Sequence, residues 1–246
     1  GAAAITVEFV PRRTIRNTLG DALQRAVRRS PNKEALVFGE RRWTYQDLNQ
    51  AVNRVAHALL AQGLQPGDRV AAYGKNSDAY VLLWLACNRA GLVHVPVNFA
   101  LTEGELRYIV EQSGARALIH DVSMQAHVEQ VRTSLPCAVY GSFHGGSELD
   151  VLALAQGNGP TEAPDVDIDE NAVCQILYTS GTTAAPKGAM MTHRSLQAEY
   201  ASCIAALEKA GGRPGRPSCG ACQAISLSSQ ISSDPRLRSA ALSADQ

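Results

Sequence analysis

The segment Tyr178-Thr179-Ser180-Gly181-Thr182-Thr183-Ala184-Ala185-Pro186-Lys187-Gly188 concentrates groups that bind phosphate. Thr179, Ser180, Thr182 and Thr183 place four hydroxyls within five residues, and Lys187 adds a positive charge four residues later. Pro186 stiffens the approach of that lysine through its fixed φ. The apolar run 172–178 reads as a strand that leads directly into this turn. A strand ending in a Gly- and Thr-rich turn exposes successive backbone N–H groups, and such a nest, lined with hydroxyls, suits phosphate oxygens. The order of residues is not that of the GxxxxGK[ST] loop, since no helix-opening Gly-Lys-Ser/Thr follows, and the chain has no GxGxxG element. By composition alone the segment also fits a Thr/Ser-rich surface turn.

Other candidate groups carry less. Cys219-Gly220-Ala221-Cys222 lacks the second ligand pair of a zinc site and the βαβ context of a thioredoxin-like motif, so no metal site is read. His144-Gly145-Gly146 has the composition of a lipase oxyanion loop, but no Gly-x-Ser-x-Gly elbow accompanies it, and a flexible loop is the simpler reading. Arg12, Arg13, Arg16, Arg25, Arg28 and Arg29 could attract anions, and a solvated helix face explains them equally well. His193 stands at a predicted helix start, where a neutral imidazole caps or packs more often than it catalyses.

The elements that would hold the loop can be read from periodicity and punctuation. A helix is predicted over 17–29, with Leu19, Leu23, Ala26 and Val27 on one face. Residues 35–38 and 41–44, joined by Gly39-Glu40, read as a hairpin. Thr44, with Asp47 three residues on, caps a helix whose Leu48, Val52, Val55 and Leu59 form an apolar stripe. Gly63 ends it, and Pro66-Gly67-Asp68 makes a turn into a strand at 69–73. Residues 78–90 are nearly all apolar and predict a buried helix, followed by a strand at 92–97. Thr102 caps a helix to Ser113, Gly114 closes it, and 115–120 is a further strand. Residues 141–146 read as a loop, 161–170 as an acidic linker, Met190-Met191 as the start of a return strand, and 193–210 as a helix. Strands alternating with helices of this length predict an α/β fold of βαβ units around a largely parallel sheet.

The order of the words in the loop closely resembles the signature of the adenylate-forming (AMP-binding) superfamily: acyl-CoA synthetases, peptide-synthetase adenylation domains and luciferases. The superfamily pattern is Tyr-Thr-Ser-Gly-Thr-Thr-Gly-x-Pro-Lys-Gly. Trp43-Thr44-Tyr45, Gly67-Asp68-Arg69-Val70, residues 90–98 (AGLVHVPVN) and Thr192-His193-Arg194-Ser195-Leu196 also resemble its N-terminal region, in the same order. The resemblance covers roughly residues 16–207, and the fatty-acyl-CoA synthetase branch looks most similar.

The resemblance implies a two-step reaction. A carboxylate attacks the α-phosphate of ATP, with magnesium assisting, to give an acyl-adenylate and pyrophosphate. The thiol of coenzyme A then displaces AMP. Thr179, Ser180, Gly181, Thr182, Thr183 and Lys187 would cradle the ATP phosphates through charge-assisted hydrogen bonds, and the substrate would be a carboxylic acid of the fatty-acid class. Two departures stand out. Ala184 replaces the second loop glycine, at a cost of about 1 kcal/mol if φ is positive there. The superfamily's later elements, its Tyr-Gly-x-Thr-Glu segment, ribose-binding aspartate and catalytic lysine, are not found, so no catalytic residue is assigned.

The division expected from this is a partial AMP-binding N-terminal domain at 1–207 and an irregular tail at 208–246 outside the family, whose Arg/Pro/Ser/Cys mixture resembles out-of-frame translation of GC-rich DNA. A truncated ligase, a non-catalytic nucleotide- or acyl-binding module and an inactive remnant are the competing expectations. The charge balance, 23 basic against 23 acidic residues, gives no sign of a nucleic-acid partner. Most of the six cysteines sit in apolar runs, as reduced small hydrophobes do. No signal peptide is visible, and no apolar run reaches the ~18 residues of a membrane span, so a cytoplasmic location is expected.

Overall fold

The computed structural model describes residues 17–146, 149–179 and 186–209. Helix α1 (Leu19–Arg29) is followed by a hairpin of β1 (Glu34–Phe38) and β2 (Arg41–Thr44), which turns at Gly39 with φ 58°. Helix α2 (Tyr45–Ala61) begins in the predicted Thr44/Asp47 capping box, and its stripe of Leu48, Val52, Val55 and Leu59 is buried. Burial of each of these side chains stabilises by about 1.5–3 kcal/mol.

A six-stranded sheet follows, in the order β6-β5-β3-β4-β7-β8. Its members are β3 (Arg69–Tyr73), β4 (Val93–Val97), β5 (Ala117–His120), β6 (Val139–Ser142), β7 (Val173–Thr179) and β8 (Lys187–Thr192). All pairings are parallel except β7 with β8. Alternate residues along β3 divide between two cores, as strand geometry requires. Val70 and Ala72 pack with α1, α2, α3 (Asp78–Ala90) and α6 (Val151–Gln156), whereas Ala71 and Tyr73 pack with α4 (Glu103–Ser113) and α5 (Gln125–Arg132). Helix α3 is enclosed on every side: all of its residues are buried, in keeping with its all-round apolar sequence. Helix α7 (His193–Lys209) leaves β8 and joins the α3 face through Leu196. The expected α/β fold with a mostly parallel sheet is what forms.

The segment 121–160 holds more structure than its sequence announces, with a 3₁₀ turn at Val122–Met124, α5, β6 and α6. Gly141 and Ser142, expected in a loop, lie in β6, the edge strand paired with β5. The glycine is required by contact. A Cβ on Gly141 would stand 2.7 Å from the Leu149 carbonyl oxygen and 2.8 Å from Ile119 Cδ1. Gly141→Ala is therefore expected to lower stability by about 1–3 kcal/mol through overpacking. Urea denaturation would register this as a lower midpoint at unchanged slope. The return strand also begins earlier than expected, at Lys187 rather than Met190. The tail and Cys219-Cys222 lie outside the described residues, among which no helix is long and apolar enough to cross a membrane.

Candidate functional site

The two ends of the predicted phosphate loop are the facing ends of the β7–β8 hairpin. Tyr178 pairs with Gly188, and Thr179 pairs with Lys187. Of the predicted site residues, Thr179 and Lys187 are thus brought into register, while Ser180, Gly181, Thr182 and Thr183, with Ala184, lie outside the described residues. Because β7 runs parallel to β4, with His94 beside Gln175, the hairpin turns at the carboxyl end of the parallel sheet. The chain leaving β4 passes to α4 on one face, and the chain leaving β3 passes to α3 on the other. Open α/β sheets bind ligands at the carboxyl ends of strands, at such a reversal of winding. Lys187 is exposed there.

Helix α4 holds both limbs of the hairpin. Tyr108 Oη donates to the Pro186 carbonyl at 3.1 Å, and Tyr178 Oη donates to Gln112 Oε1. The helix is itself well fixed. Thr102 and Glu105 form a capping box at its start, and Gly114 closes it with φ 63°. The Arg69 guanidinium donates to the carbonyls of Ser113 and Gly114 at 2.8 and 2.9 Å, satisfying groups the helix end leaves open. Gly188 makes room for this arrangement, since a Cβ there would meet Ile176 Cγ2 at 2.8 Å and Tyr178 Cζ at 3.1 Å. Sequence reading did not single out Tyr108 or Gln112. The only available signal was their i, i+4 spacing on a helix that is otherwise read by its apolar face.

The other end of the hairpin is anchored across the molecule. The buried His193 Nδ1 accepts the Leu19 N–H at 3.3 Å, which leaves the ring proton on Nε2. His193 thus caps α1 and does not face the loop. Burial pushes its pKa down to about 4, against a smaller opposing pull from Asp21. His94, on β4 beside β7, is also buried, packs edge-on to Tyr80 at 5.6 Å, and has no partner for either ring nitrogen among the described residues. Its pKa is pushed down to about 3 by burial. Gln175 is committed to Trp84, whose indole N–H donates to it at 3.2 Å. A groove of about 730 Å³ runs beneath the hairpin between Arg69, Gln112, Ile168, Ile176, Tyr178 and Met190. Its lining runs from the amino ends of β3, β4 and β7 up to the Tyr178–Gly188 pair. Arg25 reaches Asn17 and Gln197, so that part of the arginine cluster ties α1 to α7.

The family profile described as "AMP-binding enzyme" matches residues 23–220. The chain belongs to the AMP-binding enzyme family. A feruloyl-CoA synthase of an Amycolatopsis species is 39% identical over 178 residues, which are 72% of this chain and 34% of that protein. The chain spans about a third of the length of the curated relatives it matches. Among solved structures, a Mycobacterium tuberculosis fatty acyl CoA synthetase superposes with a TM-score of 0.69 at 27% identity, covering 77% of this chain and 37% of that one. ATP-bound MatB from Rhodopseudomonas palustris gives 0.68 at 29% identity, covering 78% and 38%. The relatives include CoA ligases and synthetases, and the fold described above is the N-terminal portion of their domain.

Proposed function

We propose that this chain carries the ATP-phosphate site of a carboxylic acid–CoA ligase, with a fatty acid as the activated substrate. The observation that carries this reading is the hairpin end, where Thr179 and the exposed Lys187 face each other at the carboxyl end of the parallel sheet. On this reading Thr179, Ser180, Gly181, Thr182 and Thr183 offer hydroxyl and backbone N–H donors to the phosphate oxygens, and Lys187 supplies the compensating charge. ATP enters with its magnesium ion as substrate. Attack of the acid's carboxylate oxygen on the α-phosphorus breaks the bond to the pyrophosphate leaving group. The sulfur of coenzyme A then forms the thioester and releases AMP. This portion of the ligase would bind and orient the departing phosphates, a role of electrostatic stabilisation. The names of the relatives, which span feruloyl and fatty acyl substrates, support the ligase class.

The test is nucleotide binding by calorimetry, paired with ATP–pyrophosphate exchange over a panel of fatty and aromatic acids. Lys187→Met is expected to weaken ATP binding by about ten- to a hundredfold, the range of a charge-assisted hydrogen bond of ~1.5–3 kcal/mol. An unaltered chain that does not bind ATP would sink the proposal. Binding without exchange would favour a nucleotide-binding module, and exchange strongest with an aromatic acid would replace the fatty-acid assignment.

A further inference from the structure

We infer that Tyr108 and Gln112, one turn apart on α4, are positioning residues that fix the separation and alignment of the phosphate loop's two ends. The inference rests on the functional reading above and adds to it the part of the fold that holds the loop ready.

Each contact falls immediately beside a predicted phosphate-binding residue. Pro186, whose carbonyl accepts from Tyr108 at 3.1 Å, directly precedes Lys187. Tyr178, whose hydroxyl donates to Gln112, directly precedes Thr179. Both limbs are therefore tied to the same helix face at the last positions before the loop begins and after it ends. The Tyr108 hydroxyl gives the Pro186 carbonyl a partner just outside the ladder, which closes at the Thr179–Lys187 pair.

The helix providing these groups is a rigid support. Its opposite face places Leu106, Ile109 and Val110 in the core. Its amino end is boxed by Thr102 and Glu105, and its carboxyl end is held by Arg69 from β3. Gly188 completes the device. A Cβ there would stand 2.8 Å from Ile176 Cγ2 and 3.1 Å from Tyr178 Cζ, so the tyrosine ring lies where only a glycine leaves it room. Holding Pro186 and Tyr178 at a fixed separation lowers the ordering cost of binding between them, and this raises affinity without any added contact to the ligand.

Tyr108→Phe keeps the ring that packs beside the core and removes only the hydroxyl. Gln112→Leu removes the acceptor for Tyr178. The experiment measures calorimetric affinity for magnesium ATP and for inorganic pyrophosphate, together with the urea midpoint of the unliganded chain, for the unaltered protein and both variants. Tyr108→Phe is expected to lower both affinities about fivefold, the equivalent of one ordinary hydrogen bond. Gln112→Leu should act in the same direction, with the urea midpoint of each variant staying close to that of the unaltered chain. Unchanged ATP affinity in both variants, against clear binding by the unaltered chain, would overturn the positioning role and leave the functional reading intact. A midpoint that falls in step with affinity would overturn it as well, since it would mark these contacts as general fold stability. Absence of ATP binding in the unaltered chain would overturn the functional reading and this inference together.

Discussion

Acidification from about pH 6.5 to about pH 4 is expected to unfold the chain, with stability falling by up to about 3 kcal/mol per pH unit. The cause is two imidazoles held neutral inside the fold. Burial pushes His94 down to about 3 and His193 down to about 4. In the unfolded chain both take up a proton as pH drops through about 6.5. The folded chain leaves them neutral until much lower pH, so the unfolded state binds more protons throughout the interval. Stability is therefore complete above the unfolded value and is lost as pH falls. Each group contributes roughly 1.4 kcal/mol per pH unit, and the total rivals the 5–15 kcal/mol typical of a domain. Urea midpoints measured along a pH series would give the slope. His94→Phe should halve it, since the ring stays apolar and only one proton remains to be taken up. A midpoint that holds steady down to about pH 5 would contradict the account.

The second large effect is placed on Asp78, at the start of α3. Its side chain is buried, and it accepts from Arg41 at 2.6 and 2.9 Å and from the Trp43 indole at 3.1 Å. Burial pushes its pKa up, but the hydrogen bonds from Arg41 and Trp43 and the guanidinium charge outweigh this, and the carboxyl titrates below its ordinary range. These contacts fasten the β1–β2 hairpin to the buried helix. Asp78→Ala should cost about 2–4 kcal/mol. This is below the ~3–5 kcal/mol of a fully buried pair because the Arg41 side chain, 36% exposed, can turn to water. The Trp43 indole cannot, and it is left without an acceptor. Asp78→Asn should recover part of the loss, since an amide oxygen still accepts from the indole. Thermal or urea denaturation would rank the three proteins, and equal stability of Asp78→Ala and the unaltered chain would refute the assignment. The carboxylate adds to acid lability in the same direction as the histidines, because a depressed acid also loses its contribution as pH falls through its folded value.

Much of this architecture is legible in the residues because local signals agree with one another. Thr44 with Asp47, and Thr102, announce helix starts, and capping boxes form at both, the second completed by Glu105. Gly63 and Gly114, where helices were expected to end, take positive φ. The nearly all-apolar run at 78–90 reads as a buried helix because no continuous polar face interrupts it. Where the reading failed, the cause was a contact distant in sequence. Gly141 looks like a turn residue, yet it is a strand residue pressed against Leu149 and Ile119. Asp78 reads as an ordinary first-turn acid. Its partners Arg41 and Trp43 belong to a hairpin whose docking on α3 no periodicity reveals. The loop is recognised by the order of its words and α4 by its cap and closing glycine, but the grip of one on the other is not, because a hydrogen bond from Tyr108 to a carbonyl 78 residues away leaves no local pattern.

The link between Leu19 and His193 bears on how the chain is made. The acceptor that completes the first turn of α1 lies 174 residues downstream. At roughly 5–20 residues per second of synthesis, that acceptor leaves the ribosome on the order of ten to thirty seconds after the helix it caps. Throughout that interval α1 has only Thr18 and Asp21 at its start. Its apolar residues Leu19 and Leu23 meet α2 and α3 much sooner, so the helix is buried against its neighbours before its last cap is in place.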